Sequence, residues 1–130
     1  MLNLLHGSPS TTELLDEVHQ LAALKEPYVA FLAFAEERAV GMIDARVRNY
    51  AEGSPELRAA YVEDLWVEPH ERGKGIGRAL LGEVEEWART QGLQWLGSDT
   101  APENSRSIAW HTAVGFKEVE RLVVFGKPLT

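Results

Sequence analysis

Apolar and polar positions alternate along this chain with two different periods. Ser10-Thr-Thr-Glu13 has the form of a capping box, and Leu14, Val18, Leu21 and Ala22 follow it as a helical stripe. These predict a helix over about 10–24, stopped by Pro27. Positions 29–35 are a near-continuous apolar run and read as a buried strand. Glu36-Glu37-Arg38 forms a polar turn, and the run from 39 to about 50 continues as the second arm of a hairpin. The stretch 51–56 contains Gly53 and Pro55 and reads as a loop. Strands at about 59–67, 93–98 and 117–126 then alternate with helices at about 75–91 and 104–114. Gly92 and Gly115 stand where helix C-caps belong. The pattern predicts one mixed α/β domain over 1–130, without repeats or linkers.

Composition narrows the function classes. A chain of 130 residues suits one core, and 45% hydrophobic with 25% charged residues argues against disorder. No apolar run approaches about 18 residues, and the first residues lack a basic, then apolar, leader, so a cytoplasmic protein is expected. The absence of cysteine removes disulfides, a thiol nucleophile and thiolate metal sites. His6, His19 and His70 have no ligand spacing with nearby acids, so no metal is expected. A net charge of −7 disfavours nucleic acid and suits either solubility alone or a small cationic substrate. No membrane partner is expected.

The segment with the most chemistry is Arg72-Gly-Lys-Gly-Ile-Gly77, between a strand-like run and a helix carrying Ile76, Leu80, Val84 and Trp87 at helical spacing. A glycine-rich turn opening a helix directs backbone N–H groups and the positive end of the helix dipole at one point, a ready phosphate site. A Walker loop requires Ser or Thr after the lysine, and the dinucleotide fingerprint requires glycines spaced otherwise. A strand-to-helix turn with incidental glycines is the plain alternative. What fits is Arg-x-x-Gly-x-Gly, as Arg72, Gly75 and Gly77. This resembles the pyrophosphate loop of the GCN5-related N-acetyltransferases (GNAT), which bind acetyl-CoA. Asn104 and the Ala109-Trp-His-Thr-Ala-Val-Gly-Phe116 stretch extend the likeness. Ser98-Asp-Thr, Pro102-Glu-Asn104, His111, Val119-Glu-Arg and Phe125-Gly-Lys-Pro128 are similar to the aminoglycoside 6′-N-acetyltransferase branch. The likeness spans roughly 28–128.

The resemblance implies a mixed, mostly antiparallel sheet flanked by helices, and acetyl transfer from acetyl-CoA to an amine of a small cationic substrate, as in antibiotic resistance. Arg72, Gly73, Lys74, Gly75, Ile76, Gly77 and Arg78 would hold the pyrophosphate. Main-chain groups of Leu65, Trp66 and Val67 would pair with the pantetheine arm, with the N–H of residue 65 or 67 as oxyanion donor. Asn104 suits a helix cap and, by the resemblance, a pantetheine contact.

Glu63 alternates with Tyr61, Leu65 and Val67, so it is expected on their face, either salt-bridged or, as the resemblance implies, binding the substrate amine. Asp64 points the other way and reads as structural. Asp99 ends a strand, where a turn cap and a ligand contact are both reasonable. The resemblance makes it an amine contact and candidate base, with water relay from Glu63 as the other route. Tyr50 and Glu120 match substrate contacts of the branch. His111 falls where many relatives carry a tyrosine acid, and it can equally be a core histidine.

No tryptophan precedes Trp66, although the branch carries a Trp-Pro motif near its start, and the first strand and helix read as shortened. A misplaced start, a shorter sheet or a covering subunit would each account for this. The last implies a homodimer. Acetylation of a peptide, polyamine or metabolite amine, and acyl-CoA binding without turnover, are the alternative functions.

Overall fold

The computed structural model describes residues 26–130, so the helix expected at 10–24 and the readings of the chain start lie outside the described residues. Two compact units result, one ending at Asp99 and a second, Thr100–Thr130.

The first unit is built on a four-stranded sheet in sequence order. β1 (Tyr28–Ala35) pairs antiparallel with β2 (Arg38–Arg48), and β2 antiparallel with β3 (Ala59–Val67). Helix α1 (Ile76–Thr90) carries the chain over to β4 (Leu96–Gly97), which runs parallel to β3. The crossover is required, since parallel neighbours cannot be joined by a tight turn. The hairpin turns through Glu36, which adopts φ 58°.

α1 packs on one face of the sheet through Leu80, Leu81, Val84 and Ala88. A Cβ at Gly41 would stand 3.0 Å from Ile76 Cγ2 and 3.1 Å from Leu80 Cδ1, so the helix approaches the sheet most closely where β2 has no side chain. Register therefore assigns Ile43, Ala45 and Val47 to the helix face, and Met42, Asp44, Arg46 and Arg48 to the other. On that other face Met42 packs with Ala39, Leu32 and Trp66. Ala51, Ala59 and Tyr61 form a second cluster with Trp95.

Three expectations change. β1 is half-buried rather than buried, with Phe34 exposed, because among the described residues it has a single strand neighbour. The strand expected at 93–98 shrinks to Leu96–Gly97, since Leu93 N–H is spent on the Ala88 carbonyl, closing the α1 C-terminus together with Gly92 N–H to Arg89. The strand expected at 117–126 does not form. That β-prone run finds no ladder partner among the described residues, and Val123, Val124 and Phe125 are exposed.

In the second unit α2 (Ser105–Ala113) ends in the same Schellman pattern, with Phe116 N–H to the His111 carbonyl and Gly115 N–H to Thr112. No helix among the described residues is long and apolar enough to cross a membrane.

Candidate active site

β3 leads directly into the glycine loop. Glu68 N–H donates to the Val40 carbonyl (2.8 Å), and the Glu68 carboxylate accepts from His70 N–H (3.0 Å), fixing a single 3₁₀ turn at Pro69–Glu71. Arg72 Nε then donates to the Val67 carbonyl (3.0 Å), tying the loop to the end of β3. Gly73 and Gly75 adopt φ 83° and 87°, and a Cβ at either would meet nothing within 4 Å. Backbone bonding stops with Arg72 N–H to Pro69 and resumes with Ala79 N–H to Gly75. Among the described residues, the amides of Gly73, Lys74, Gly75, Ile76 and Gly77 between those points donate to no carbonyl. No side chain caps α1, and no acid lies in its first turn. Lys74 Nζ pairs with Glu71 (3.1 Å), which also faces Arg38 (3.7 Å). Arg78 is exposed on the first turn. Free amides, a helix start and open space over two glycines are what a diphosphate requires, so these residues fit the CoA pyrophosphate.

The adjoining edge of β3 is open. β4 pairs with β3 only at Ala60 and Tyr61, so from Val62 to Val67 no described strand lies on that side. Since Glu68 N–H points to β2, alternation turns the amides of Leu65 and Val67 away from β2 and that of Trp66 toward it. Leu65 and Val67 are therefore the main-chain donors on the free edge, while the Val67 carbonyl is already held by Arg72. Trp66 turns its main chain to β2 and buries its indole, whose Nε1 has no partner among the described residues.

Glu63 sits at a β-bulge. Asp44 faces Asp64 and Ala45 faces Val62, so Glu63 is the extra residue of β3. The bulge changes the alternation expected from the sequence. Leu65 and Val67 share the α1 face with their partners Ile43 and Gly41, whereas Tyr61 lies on the opposite face beside Arg46. The Glu63 carboxylate is gripped on that face by Arg48, Nε to Oε2 and Nη2 to Oε1, both 2.8 Å. The Arg48 guanidinium also lies 3.7 Å over the Tyr61 ring, and Tyr61 OH donates to Asp99 Oδ2 (2.9 Å). Burial, the bond to Asp99 and its charge push the Tyr61 phenol well above its usual range. Burial lowers the Arg48 pKa, but the Glu63 bond and charge outweigh it and raise the value overall.

Asp99 is exposed two residues beyond β4. Asp64 is buried opposite Asp44, whose carboxylate accepts from Tyr28 OH (2.6 Å). Tyr50 follows β2 and is 65% exposed, with no bond to this cluster. Arg48 and Tyr61 were not singled out in the sequence. The available signal was a run of polar residues, Asp44, Arg46 and Arg48, at every second position of an otherwise apolar strand.

In the second unit Asn104 Oδ1 accepts from Ser107 N–H (3.1 Å), capping α2. His111 Nδ1 lies 2.7 Å from the Ser107 carbonyl, so it carries a proton, and in the neutral ring Nε2 is the acceptor. The ring packs edge-on to Trp110 and tilted on Phe116, each 5.1 Å away. Glu120 is exposed and lies in no strand.

A family model described as the Acetyltransferase (GNAT) family matches residues 2–116. The chain belongs to that family. An aminoglycoside N(6′)-acetyltransferase type 1 of Stenotrophomonas maltophilia is 36% identical over 122 residues, 93% of this chain and 80% of the relative. A crystal structure of an aminoglycoside 6′-N-acetyltransferase from Acinetobacter haemolyticus superposes with a TM-score of 0.80 at 32% identity, over 95% of this chain and 85% of that one. A related aminoglycoside enzyme, solved with a bisubstrate analogue joining CoA to acetylneamine, gives 0.78 at 32% identity, over 96% and 84%. In this acetyltransferase the glycine loop directly follows the strand whose edge is open, and two members of the Arg48–Glu63–Tyr61–Asp99 cluster, Glu63 and Tyr61, stand on that same strand.

Proposed function

We propose that this enzyme transfers the acetyl group of acetyl-CoA to a primary amine of a small cationic acceptor, an aminoglycoside 6′-amine. The observation carrying the reading is the exposed Asp99 carboxylate, fixed by Tyr61 OH through one oxygen, Oδ2, so that the other is not used by Tyr61. It follows β4, which pairs with β3 just before the free amides of Leu65 and Val67. Its charge suits an ammonium, and the relatives of known acceptor act on such amines.

Acetyl-CoA, held by the loop amides, supplies the activated acyl group. Asp99 holds the acceptor ammonium and takes its proton, directly or through water, which exposes the nitrogen lone pair. The free-edge amide of Leu65 or of Val67 donates toward charge developing on the acyl oxygen, and the other is left for the pantetheine arm. In the second unit His111 is the candidate acid for the leaving thiolate, with Nδ1 committed to the Ser107 carbonyl and Nε2 left as the exchanging nitrogen. Tyr50, exposed after β2, extends the acceptor contacts. The protein works in the cytoplasm as a homodimer, whose mass light scattering measures; a monomer at micromolar concentration would remove the dimer.

Thiol release from acetyl-CoA in the presence of kanamycin-type aminoglycosides, polyamines and peptide amines tests the reading, with mass spectrometry locating the acetyl group. Release with aminoglycosides and modification at the 6′ nitrogen is expected. Retained CoA binding without release on any amine would leave a non-catalytic acyl-CoA binder.

A further inference from the structure

We propose that Arg48 sets the cation preference of the acceptor site by occupying Glu63, so that one carboxylate, Asp99, is left to receive an acceptor ammonium. This rests on the reading of the site as an amine acetyltransferase centre.

Both Glu63 oxygens are taken by the planar fork of Arg48 at 2.8 Å, and the Glu63 side chain is only 13% exposed. The same guanidinium is packed over the Tyr61 ring, whose hydroxyl holds Asp99. The cluster thus runs Glu63, Arg48, Tyr61, Asp99, with two carboxylates and one fixed cation, a net charge of −1. An incoming ammonium reaches Glu63 only by displacing a bidentate, stacked guanidinium, which is more firmly placed than a lysine would be. Asp99 keeps an oxygen that Tyr61 does not use and is exposed. The geometry therefore favours an acceptor ring with one ammonium and neutral hydroxyl neighbours. A second ammonium elsewhere on the acceptor ring meets the charge of Arg48 instead of Glu63. Arg48 is a specificity residue acting through Glu63.

Kanamycin A and kanamycin B are the probes, since they differ in a hydroxyl or an amine at the 2′ carbon. The ratio of their KM values is measured for the wild type, Arg48→Gln, Arg48→Lys, Glu63→Gln and the double variant Arg48→Gln/Glu63→Gln. Arg48→Gln should lower KM for kanamycin B relative to kanamycin A by roughly tenfold, a usual span for exposing a charge partner, with a smaller change in the kcat ratio. Arg48→Lys should stay near the wild-type ratio, and the double variant should lose the shift. A purely structural Arg48 would depress both acceptors alike. An unchanged ratio in Arg48→Gln, or a shift that persists without Glu63, overturns the proposal. If Arg48→Gln does not fold, as read by circular dichroism, Glu63→Gln decides: it leaves the Arg48 charge unpaired, so KM for kanamycin B should rise relative to kanamycin A, and an unchanged or lowered ratio overturns the idea. If the wild type acetylates neither amine, the functional reading fails. Calorimetric binding of the two amines to the same variants then reads the preference directly, with the same shift expected and its absence decisive against Arg48.

Discussion

The ring of Tyr61 fills the space that a side chain at Gly97 would need. A Cβ there would stand 2.7 Å from Tyr61 Cδ2 and 2.8 Å from Cε2, with Ala51 Cβ at 3.4 Å behind. The glycine is required by contact rather than by backbone torsion, and it lets the phenol reach Asp99 from a 4% exposed position. Gly97→Ala should push the ring outward and break the Asp99 bond. The expected cost is about 1–3 kcal/mol of stability in urea unfolding, typical of overpacking. The expected loss in kcat/KM exceeds what the stability change explains. Unaltered turnover in a folded variant would show that Asp99 needs no support from Tyr61.

Tyr61→Phe isolates the hydroxyl. Its phenol pKa is raised by burial, by the bond to Asp99 and by that carboxylate's charge. A group raised in this way stabilises the fold fully below its ordinary value of about 10, and the contribution is lost as pH climbs beyond that value. The wild type should therefore lose stability on the alkaline side of about pH 10 more steeply than Tyr61→Phe does. An absorbance titration of the tyrosines should lose a late-titrating phenol in the variant. Parallel alkaline limbs for the two proteins would contradict the assignment.

Gly75→Glu tests the loop. With φ 87°, any side chain at 75 is strained by about 1–2 kcal/mol, but a Cβ meets nothing within 4 Å, so the fold should survive. The added carboxylate faces the amides that would hold the diphosphate. CoA affinity by calorimetry should fall by more than about 100-fold, against a smaller loss in Gly75→Ala, which carries the strain without the charge. Unchanged CoA binding in Gly75→Glu would remove the phosphate assignment.

The elements legible in the sequence were those whose signals are local. The stripe of Leu80 and Val84, the glycines at 92 and 115, and the apolar run of β3 each specify their own structure within a few residues. The glycine loop was equally local. The face of Glu63 was not, because the bulge that reverses it arises from how β3 pairs with β2, and no residue near 63 announces it. The Arg48 clamp joins residues 15 apart in sequence and the Tyr61–Asp99 bond residues 38 apart, so neither is visible as spacing. The apolar run at 117–126 shows the converse. Composition gave strand propensity, but a strand also needs a neighbour to pair with.

Glu36→Gly should stabilise the protein. Glu36 is the non-glycine residue among those described that adopts a positive φ, 58°, at the β1–β2 turn. Relief of the left-handed strain, less the added entropy of the unfolded glycine, leaves a gain of about 0.5–1 kcal/mol. Thermal unfolding should rise by a few degrees. A lower midpoint would mean that the glutamate side chain contributes to the turn more than the backbone strain takes away.

Asn104→Asp separates two roles of one side chain. Oδ1 accepts from Ser107 N–H to cap α2, which leaves the amide NH₂ as the group able to donate to a pantetheine arm. Aspartate keeps the acceptor and adds a charge that suits a helix N-terminus, so stability should hold within about 0.5 kcal/mol. Alanine should cost about 1 kcal/mol through the lost cap. If the amide donates to the cofactor, both variants lose CoA affinity alike, although only Asn104→Ala melts early. If affinity instead follows stability, falling in Asn104→Ala and holding in Asn104→Asp, the residue contributes to CoA binding only through the helix it caps.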